Sequence, residues 1–298
     1  MDLRRPTDIA DVTDRLENFR SPDAADAVAH FVARPSDVFI CTYSKSGTTW
    51  MQQILHQLRS GSSMDFDEIS VVVPWLETAF DVGIDPHADQ QWRPRVFKTH
   101  LTRSEAPDGG RYVTVFRDPL TVLPSFHRFF DGWWFESGSI SLAEFARGLY
   151  MRGSQAGSHW NHLVDWWPHI ESADVLAFSY EDMVAAPDRV PAVVAEFLGF
   201  DLSDEELAAA THNSSRAVML EHASKFEEQV LREHRDHLWG LPPGGDASKV
   251  VAATSVEIDD DLRAELDQMW MDTVGAELGF ENYDAFRRAL PDPLGVRS

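Results

Sequence analysis

Apolar runs with the character of β-strands alternate with amphipathic stretches along most of this chain. The predicted strands lie at residues 37–43, 95–101, 112–116 and 175–179. The predicted helices that follow them lie at residues 51–58, 120–130 and 187–198. Such alternation favours right-handed crossover connections, which join parallel strands and place helices above and below them. The pattern therefore predicts an α/β fold with a mostly parallel central sheet flanked by helices on both faces.

Three segments depart from this alternation. Residues 8–31 are partly helical, residues 65–92 are irregular because two prolines interrupt them, and residues 221–298 are mainly helical. The chain has 298 residues, of which 43% are hydrophobic, and this is enough to build one large core. Because we find no internal repeat and no interdomain linker, the sequence predicts a single domain over residues 1–298.

The charge of the chain is strongly negative but unevenly distributed. The net charge is −23, which disfavours binding to nucleic acid or to an anionic membrane surface. Residues 93–128, however, contain seven lysines and arginines and only three acidic side chains. A local positive region in an acidic protein predicts a site for a small polyanionic ligand.

The remaining composition narrows the class of protein. The single cysteine, Cys41, excludes an internal disulfide and suits a buried, inert thiol in a strand. Residues 1–8 are not followed by the apolar segment of a signal peptide, so we expect a cytoplasmic protein. No apolar stretch approaches the ~20 residues that cross a bilayer, so we expect no stable membrane insertion.

A phosphate-binding loop is predicted where the first strand ends and the next helix begins. Its polar turn is Lys45-Ser46-Gly47-Thr48-Thr49. A glycine lets the backbone approach an anion closely, and the first amides of a helix point at it. The loop is P-loop-like but is not a Walker A motif, because its lysine precedes its only glycine. An ordinary kinase or ATPase is therefore disfavoured.

Two further motifs follow the next predicted strands. In Lys98-Thr99-His100 the outer two side chains share one face of a strand, so they project into the same cavity. Arg117 follows a strand, and Ser125 lies eight positions later in the following helix. An arginine can bind a phosphate through two parallel hydrogen bonds, and a serine can add a third. Ligand sites of open α/β sheets gather at such strand ends.

These motifs resemble those of the cytosolic-type sulfotransferases, which use 3′-phosphoadenosine 5′-phosphosulfate (PAPS). The resemblance covers residues 37–220 and includes a Tyr-Glu-Asp-Met element that begins at Tyr180. It implies that Lys45, Ser46, Gly47, Thr48 and Thr49 bind the 5′-phosphosulfate. It further implies that Tyr180 contacts the adenine, and that Arg117 and Ser125 hold the 3′-phosphate. We expect Trp50 to stack on the same adenine, because an aromatic face suits a base.

The resemblance also implies the chemistry. His100 is expected to act as the base that removes the acceptor's proton, because a neutral histidine has a pKa near the working pH. Lys45 is expected to stabilise the leaving nucleotide, and Lys98 the sulfuryl oxygens. No metal is expected, because lysines stand where a phosphoryl-transfer enzyme places Mg²⁺.

The chain departs from the family's pattern at two places. Ser44 stands where the family usually has proline, and serine also suits a turn. The family's Arg-Lys-Gly segment, which closes the cofactor site, is missing. Its candidate substitutes are Lys249, Arg232, and the backbone amides of Gly244 and Gly245. The family's usual dimerisation signature is also missing, so the sequence assigns no oligomeric state.

The sequence predicts the chemical class of the sulfate acceptor but not its identity. Aromatic residues at 126–135, with Trp75, Phe80 and Trp92 before them, suggest an apolar pocket for an alcohol, phenol or glycolipid. Two other functions remain open at this point. One is an ATP-dependent phosphotransferase that holds Mg²⁺ through Glu181 and Asp182, and the other is a catalytically inactive nucleotide-binding module.

Overall fold

A sheet of parallel strands forms the centre of the chain. In the computed structural model, which describes residues 4–153, 157–241 and 257–297, the sheet has four strands in the order β2-β1-β3-β4. The strands are β1 Val38–Thr42, β2 Val96–Thr99, β3 Arg111–Phe116 and β4 Val175–Ser179. Every pairing is parallel, so the carboxyl ends of all four strands lie at one edge of the sheet.

Helices make up most of the remaining described chain. The first eight are α1 Ile9–Glu17, α2 Pro22–Ala29, α3 Thr48–Ser60, α4 Ile69–Val72, α5 Pro119–Phe130, α6 Leu142–Phe145, α7 His159–Trp166 and α8 Tyr180–Ala185. The others are α9 Val190–Leu198, α10 Asp204–Asn213, α11 Arg216–Glu221, α12 Gln229–Trp239, α13 Asp260–Trp270, α14 Ala276–Leu278 and α15 Tyr283–Ala289. Short 3-10 turns occupy Trp167–His169, Pro187–Arg189 and Ala223–Phe226, and π-helical turns occupy Ala146–Tyr150 and Met271–Gly275.

The sheet is buried on both faces, as an α/β fold requires. Alternate strand residues face opposite sides, so each strand contributes to two hydrophobic cores. One core contains Phe39, Phe97 and Tyr112 together with the tryptophans of α7. The other contains Ile40 and Val113 together with the apolar face of α3. The predicted fold class is confirmed.

The predicted elements agree with the structure in type and differ at their ends. The strands predicted at 37–43 and 95–101 are shorter, because their last residues turn into the loops that carry polar side chains. The helix predicted at 187–198 begins with a 3-10 turn before α9. The segment 65–92 contains only the short helix α4 and is otherwise irregular, as expected. The single domain over residues 1–298 stays a prediction.

Two expectations from the sequence concern the burial of Cys41 and the length of the apolar segments. The Cys41 side chain is completely buried, and burial raises the pKa of its thiol well above the usual value. Among the described helices, none is both long and apolar enough to cross a membrane.

A buried ion pair links the amino-terminal ends of β1 and β2. The Arg95 Nε atom donates to Asp37 Oδ1 at 2.9 Å, and the two side chains are 4% and 0% exposed. Arg95 also donates to the carbonyl of Pro86 at 3.0 Å, and Asp37 accepts from the amide of Arg34 at 2.8 Å. The pair therefore joins both strands to the loops that precede them, and its two charges compensate each other.

Removing one member of this pair should destabilise the fold. Arg95→Met leaves the Asp37 carboxylate buried without its cation, so the free energy of unfolding should fall by about 3–5 kcal/mol. Urea denaturation measures this loss. Arg93→Met is the matched control, because Arg93 pairs with Asp89 at the surface, and its unfolding midpoint should stay close to that of the parent. Equal effects of the two substitutions would contradict the structural role of the buried pair.

Candidate active site

A large cavity opens at the carboxyl edge of the sheet. Its volume is about 1060 Å³, which is large enough for a nucleotide and a second small molecule. Ten of the eleven predicted site residues line it together: Lys45, Gly47, Thr48, Thr49, Trp50, Lys98, His100, Arg117, Ser125 and Tyr180. The structure therefore brings together side chains that are up to 135 positions apart in the sequence.

Ser46 is the predicted site residue that does not line this cavity. Its side chain is fully buried, and its amide donates to the carbonyl of Tyr43 at 3.2 Å. In the described part of the chain, the Ser46 hydroxyl has no hydrogen-bond partner. Its contact with a phosphate stays a prediction.

The phosphate loop depends on glycine at one position. Gly47 precedes the first residue of α3 with φ 100° and ψ 13°, in the left-handed region that side chains other than glycine rarely adopt. A Cβ atom there would also lie 3.0 Å from Cδ2 of Tyr180. The hydroxyls of Thr42 and Thr48 meet at 2.6 Å and tie the strand to the helix. The first amides of α3 lack acceptors within the helix, so they can bind an anion.

Arg117 is held firmly beside this loop. It donates to the backbone carbonyl of Lys45 at 2.7 Å and to the Thr121 hydroxyl at 3.1 Å. Its guanidinium group also lies over the ring of Tyr180, 4.2 Å from the ring centre. A cation that is fixed in this way on an aromatic face is preorganised to bind an anion.

Trp50 and Tyr180 form an aromatic corner next to Arg117. Their ring centres are 6.4 Å apart and their planes are nearly perpendicular. The Trp50 indole donates to the carbonyl of Ser214 at 3.0 Å, so its orientation is fixed by the turn between α10 and α11. Two aromatic faces at such an angle can enclose a flat ring.

The ring of His100 has one defined tautomer. Its Nδ1 atom lies 2.7 Å from the carbonyl oxygen of Thr42, which can only accept a hydrogen bond. Nδ1 therefore carries the proton, and in the neutral ring the lone pair is on Nε2. The backbone amide of His100 donates to Glu77 Oε1 at 2.8 Å, which holds the residue at the end of β2. Such a ring can accept a proton at Nε2.

Lys98 lies beside His100 and forms a buried ion pair with Glu228. The two side chains are 4% and 5% exposed, and the Lys98 ammonium is also 5.1 Å from the centre of the Trp75 ring. The neighbouring carboxyl of Glu68 has a raised pKa, mainly because of burial and further because of the Glu228 charge. The cavity thus contains a carboxylate that the sequence motifs do not predict.

Several residues of the site were missed by the sequence analysis. Glu77 and Glu228 lie in segments without a motif, and no signal in the sequence connects them to the residues they contact. Arg216, at the start of α11, also lines the cavity. The role of Thr42 could have been found, because it ends the strand next to the one that precedes His100.

The structure sorts the other candidates that the sequence proposed. Arg232 is not among the cavity residues, whereas Lys249, Gly244 and Gly245 lie outside the described residues. Of the aromatic residues that the sequence suggested for the acceptor pocket, five line the cavity: Trp75, Phe126, Phe129, Phe130 and Trp134. The other four do not line it: Phe80, Trp92, Trp133 and Phe135. Trp133 and Phe135 belong to the core, whereas Phe80 is exposed.

The two carboxylates that could hold Mg²⁺ in a phosphotransferase have other partners. Asp182 is paired with Arg287 and Arg297, at 2.5 and 3.1 Å. Glu181 accepts from the Tyr283 hydroxyl at 2.7 Å. In the described ranges 4–153, 157–241 and 257–297, no group of three or more His, Cys, Asp or Glu side chains could hold a metal ion.

Comparison with known proteins identifies the family. Residues 35–238, more than half of the chain, match the sulfotransferase domain family. The chain is 28% identical to mouse Sulfotransferase 1A1 over 226 residues, covering 72% of this chain and 77% of that protein. It is 31% identical to dog Sulfotransferase 1B1 over 205 residues, covering 64% and 69%. A solved structure of retinol dehydratase in complex with androsterone and the inactive cofactor PAP has a similar fold, with a TM-score of 0.61, 19% identity, and coverage of 84% and 83%.

The chain therefore belongs to the sulfotransferase family, and this confirms the resemblance seen in its motifs. Membership gives the class of enzyme and the co-substrate: the protein is a sulfotransferase that uses PAPS.

Asp118, directly after Arg117, should make stability depend on pH. Burial is the main reason why the pKa of its carboxyl is raised from 3.8 to about 6. The hydrogen bond from the Leu120 amide lowers this pKa, whereas the charge of Glu181 raises it further. The folded state therefore binds the Asp118 proton more tightly than the unfolded state does. The stabilisation that the protonated carboxyl contributes is lost as the pH rises from about 4 to 6. Asp118→Asn keeps a capping side chain without the charge and should add about 2 kcal/mol at pH 7.

Urea unfolding of Asp118→Asn and of the parent at pH 4 and pH 7 measures this difference. The gain should be present at pH 7 and absent at pH 4. The control is Asp259→Asn, which changes an exposed aspartate that caps α13 and should not reproduce the gain. A gain of the same size at both pH values would show that the charge of Asp118 is not its cause.

Proposed function

We propose that the protein transfers the sulfuryl group of PAPS to the hydroxyl of a small apolar or aromatic alcohol. The products are a sulfate ester and 3′,5′-adenosine bisphosphate (PAP). The observation that carries this proposal is the position of His100 at the end of β2, with its lone pair on Nε2, in one cavity with Lys45 and Lys98. A base and two cations at one place are what a sulfuryl transfer needs.

The reaction is proposed as an in-line displacement. The acceptor hydroxyl gives its proton to Nε2 of His100 while its oxygen forms a bond to sulfur. The bond between sulfur and the bridging oxygen of the 5′-phosphate breaks, and its electrons stay on the nucleotide. Lys45 stabilises this leaving phosphate, and Lys98 lies on the side of the sulfuryl oxygens. Positioning and charge stabilisation supply most of the rate enhancement in such displacements.

The nucleotide is proposed to occupy the end of the cavity near β1 and β3. The loop formed by Ser46, Gly47, Thr48 and Thr49 holds the 5′-phosphate at the start of α3. Trp50 and Tyr180 enclose the adenine, since their rings form a fixed corner. Arg117 and Ser125 hold the 3′-phosphate, and the contacts of Arg117 with Lys45 and Thr121 position its guanidinium group for that role.

The acceptor is proposed to bind at the aromatic end of the cavity. Trp75, Phe126, Phe129, Phe130 and Trp134 line this end, and such walls suit an apolar alcohol, a phenol or a glycolipid. Androsterone, which is bound in the structurally similar retinol dehydratase, is an alcohol of this kind. The proposal includes a cytoplasmic enzyme. It also includes the absence of nucleic-acid binding, because the net charge of the chain is −23.

The two other functions have less support. A phosphotransferase needs carboxylates for Mg²⁺, but Asp182 is paired with two arginines and Glu181 with Tyr283. An inactive binding module has no need of a base, yet His100 has a defined tautomer in the cavity. Stabilisation by Mg·ATP but not by PAP would favour the phosphotransferase.

The first prediction from this proposal concerns the 3′-phosphate. Calorimetry without metal should show that PAP binds more tightly than ADP or AMP, because Arg117 and Ser125 recognise the second phosphate. Arg117→Ala should remove about 1.5–3 kcal/mol of that preference. Arg147→Ala is the control, since Arg147 pairs with Glu265 at the surface and neither residue lines the cavity. No preference for PAP in the parent protein would reject this nucleotide site.

The second prediction concerns the base. His100→Ala should lower kcat by roughly 10²–10⁴-fold, because no other group takes the acceptor's proton. The affinity for PAP should stay near that of the parent, since PAP contains no reacting hydroxyl. Turnover is measured with PAPS and a simple phenol as acceptor, with the exposed His30→Ala as control. Turnover close to that of the parent would sink the assignment of His100.

A further inference from the structure

The ion pair between Lys98 and Glu228 lies in the part of the cavity where the sulfuryl group is proposed to bind. Both side chains line the cavity, together with His100 and Trp75. Both are almost fully buried, at 4% and 5% exposure. Charges at such depth interact strongly, because little water screens them.

The Glu228 carboxylate is held in place by the surrounding chain. Its backbone has φ 50° and ψ 51°, a left-handed conformation that is uncommon for glutamate. Two residues further along the chain, the amide of Val230 donates to Glu68 Oε2 at 3.1 Å. The preceding 3-10 turn is anchored by Lys225, whose ammonium lies 5.0 Å from the centre of the Phe66 ring. Contacts on both sides therefore keep the carboxylate beside Lys98.

This arrangement changes the charge that an arriving ligand meets. Lys98 carries one positive charge, and Glu228 already neutralises it. Glu77 is a further carboxyl group of the cavity lining, although burial raises its pKa. A sulfuryl group that approaches Lys98 consequently meets a neutral pair rather than an uncompensated cation. Like charges at short range in a buried site repel each other.

We propose that Glu228 is a positioning residue that competes with the sulfuryl group of PAPS for Lys98. It holds the lysine in the transfer site and, through its own charge, weakens the binding of the sulfated nucleotide relative to PAP. This inference rests on the proposed function, in which Lys98 faces the sulfuryl oxygens. PAP carries no sulfuryl group, so its affinity is independent of this competition.

A purely structural role for Glu228 makes a different prediction. If the pair only connected the turn before α12 to the sheet, removing the carboxylate would lower stability and weaken both nucleotides together. Competition for Lys98 instead changes the affinity for PAPS alone, and in the direction of tighter binding. The ratio of the two dissociation constants separates these roles.

The test uses the full-length enzyme and measures the dissociation constants of PAPS and PAP separately, without acceptor. Glu228→Gln keeps the size and the hydrogen-bonding oxygen but removes the charge. The dissociation constant of PAPS should fall about tenfold while that of PAP changes less than about twofold. Chromatography after each titration verifies that PAPS is intact.

Two further variants make the result specific. Glu228→Asn also removes the charge, and asparagine tolerates a positive φ, so it should reproduce the effect even if the longer amide disturbs the turn. Glu17→Gln removes a carboxylate that is exposed and lines the same cavity, and it should leave the ratio unchanged. A thermal melt of each variant verifies that the protein is folded.

Three results would overturn the inference. Weaker binding of PAPS, or an equal change for PAPS and PAP, in both folded Glu228 variants would assign Glu228 a structural role. The same change in Glu17→Gln would show a general effect of charge on the cavity. If the parent protein binds neither nucleotide, the proposed function itself fails, and this outcome is distinct from an unchanged ratio in an enzyme that binds both.

Discussion

The parallel register of the sheet is the constraint on which the site depends. Strand β1 lies between β2 and β3, with Cys41 opposite Thr99 and Thr42 opposite Val115. The residues that follow these strands must therefore meet at one edge. Two hydrogen bonds of 2.7 Å complete the arrangement, one from His100 to the carbonyl of Thr42 and one from Arg117 to the carbonyl of Lys45. Backbone carbonyls of one strand end thus orient the side chains of its neighbours.

Arg117 and Lys98, two cations of the site, are held in different ways. Arg117 is held by a carbonyl, a hydroxyl and an aromatic face, all of which leave its net charge intact. Lys98 is paired with a carboxylate, which cancels its charge. This difference matters in a protein with a net charge of −23, because positive potential for an anionic nucleotide must come from a few local groups. Under the proposed function, the end of the cavity at Arg117 should therefore attract anions more strongly than the end at Lys98.

Much of the site could be predicted because its chemistry is encoded in short segments. The turn after β1 contains its lysine, glycine and threonines within five positions, and strand alternation places Lys98 and His100 on one face. The prediction was less accurate where long-range packing decides. Of the aromatic residues, Trp134 lines the cavity while its neighbour Trp133 is core, and Ser46 lies behind the loop it belongs to. Local sequence cannot distinguish such neighbours, since both have the same apolar or polar character.

The sequence by itself determined the α/β class, the turn of residues 45–49 between a strand and a helix, the likeness to sulfotransferases and the residues of the strand-end motifs. These follow from local periodicity and from residues only a few positions apart, which a chain carries whether folded or not. Only the tertiary structure decided which tautomer His100 adopts, and that Glu77 and Glu228 join the site. Glu228 is 130 positions from Lys98, and the two meet because the segment before α12 folds back over the sheet edge. Contacts at such separations depend on the packing of the whole chain, which no local pattern encodes.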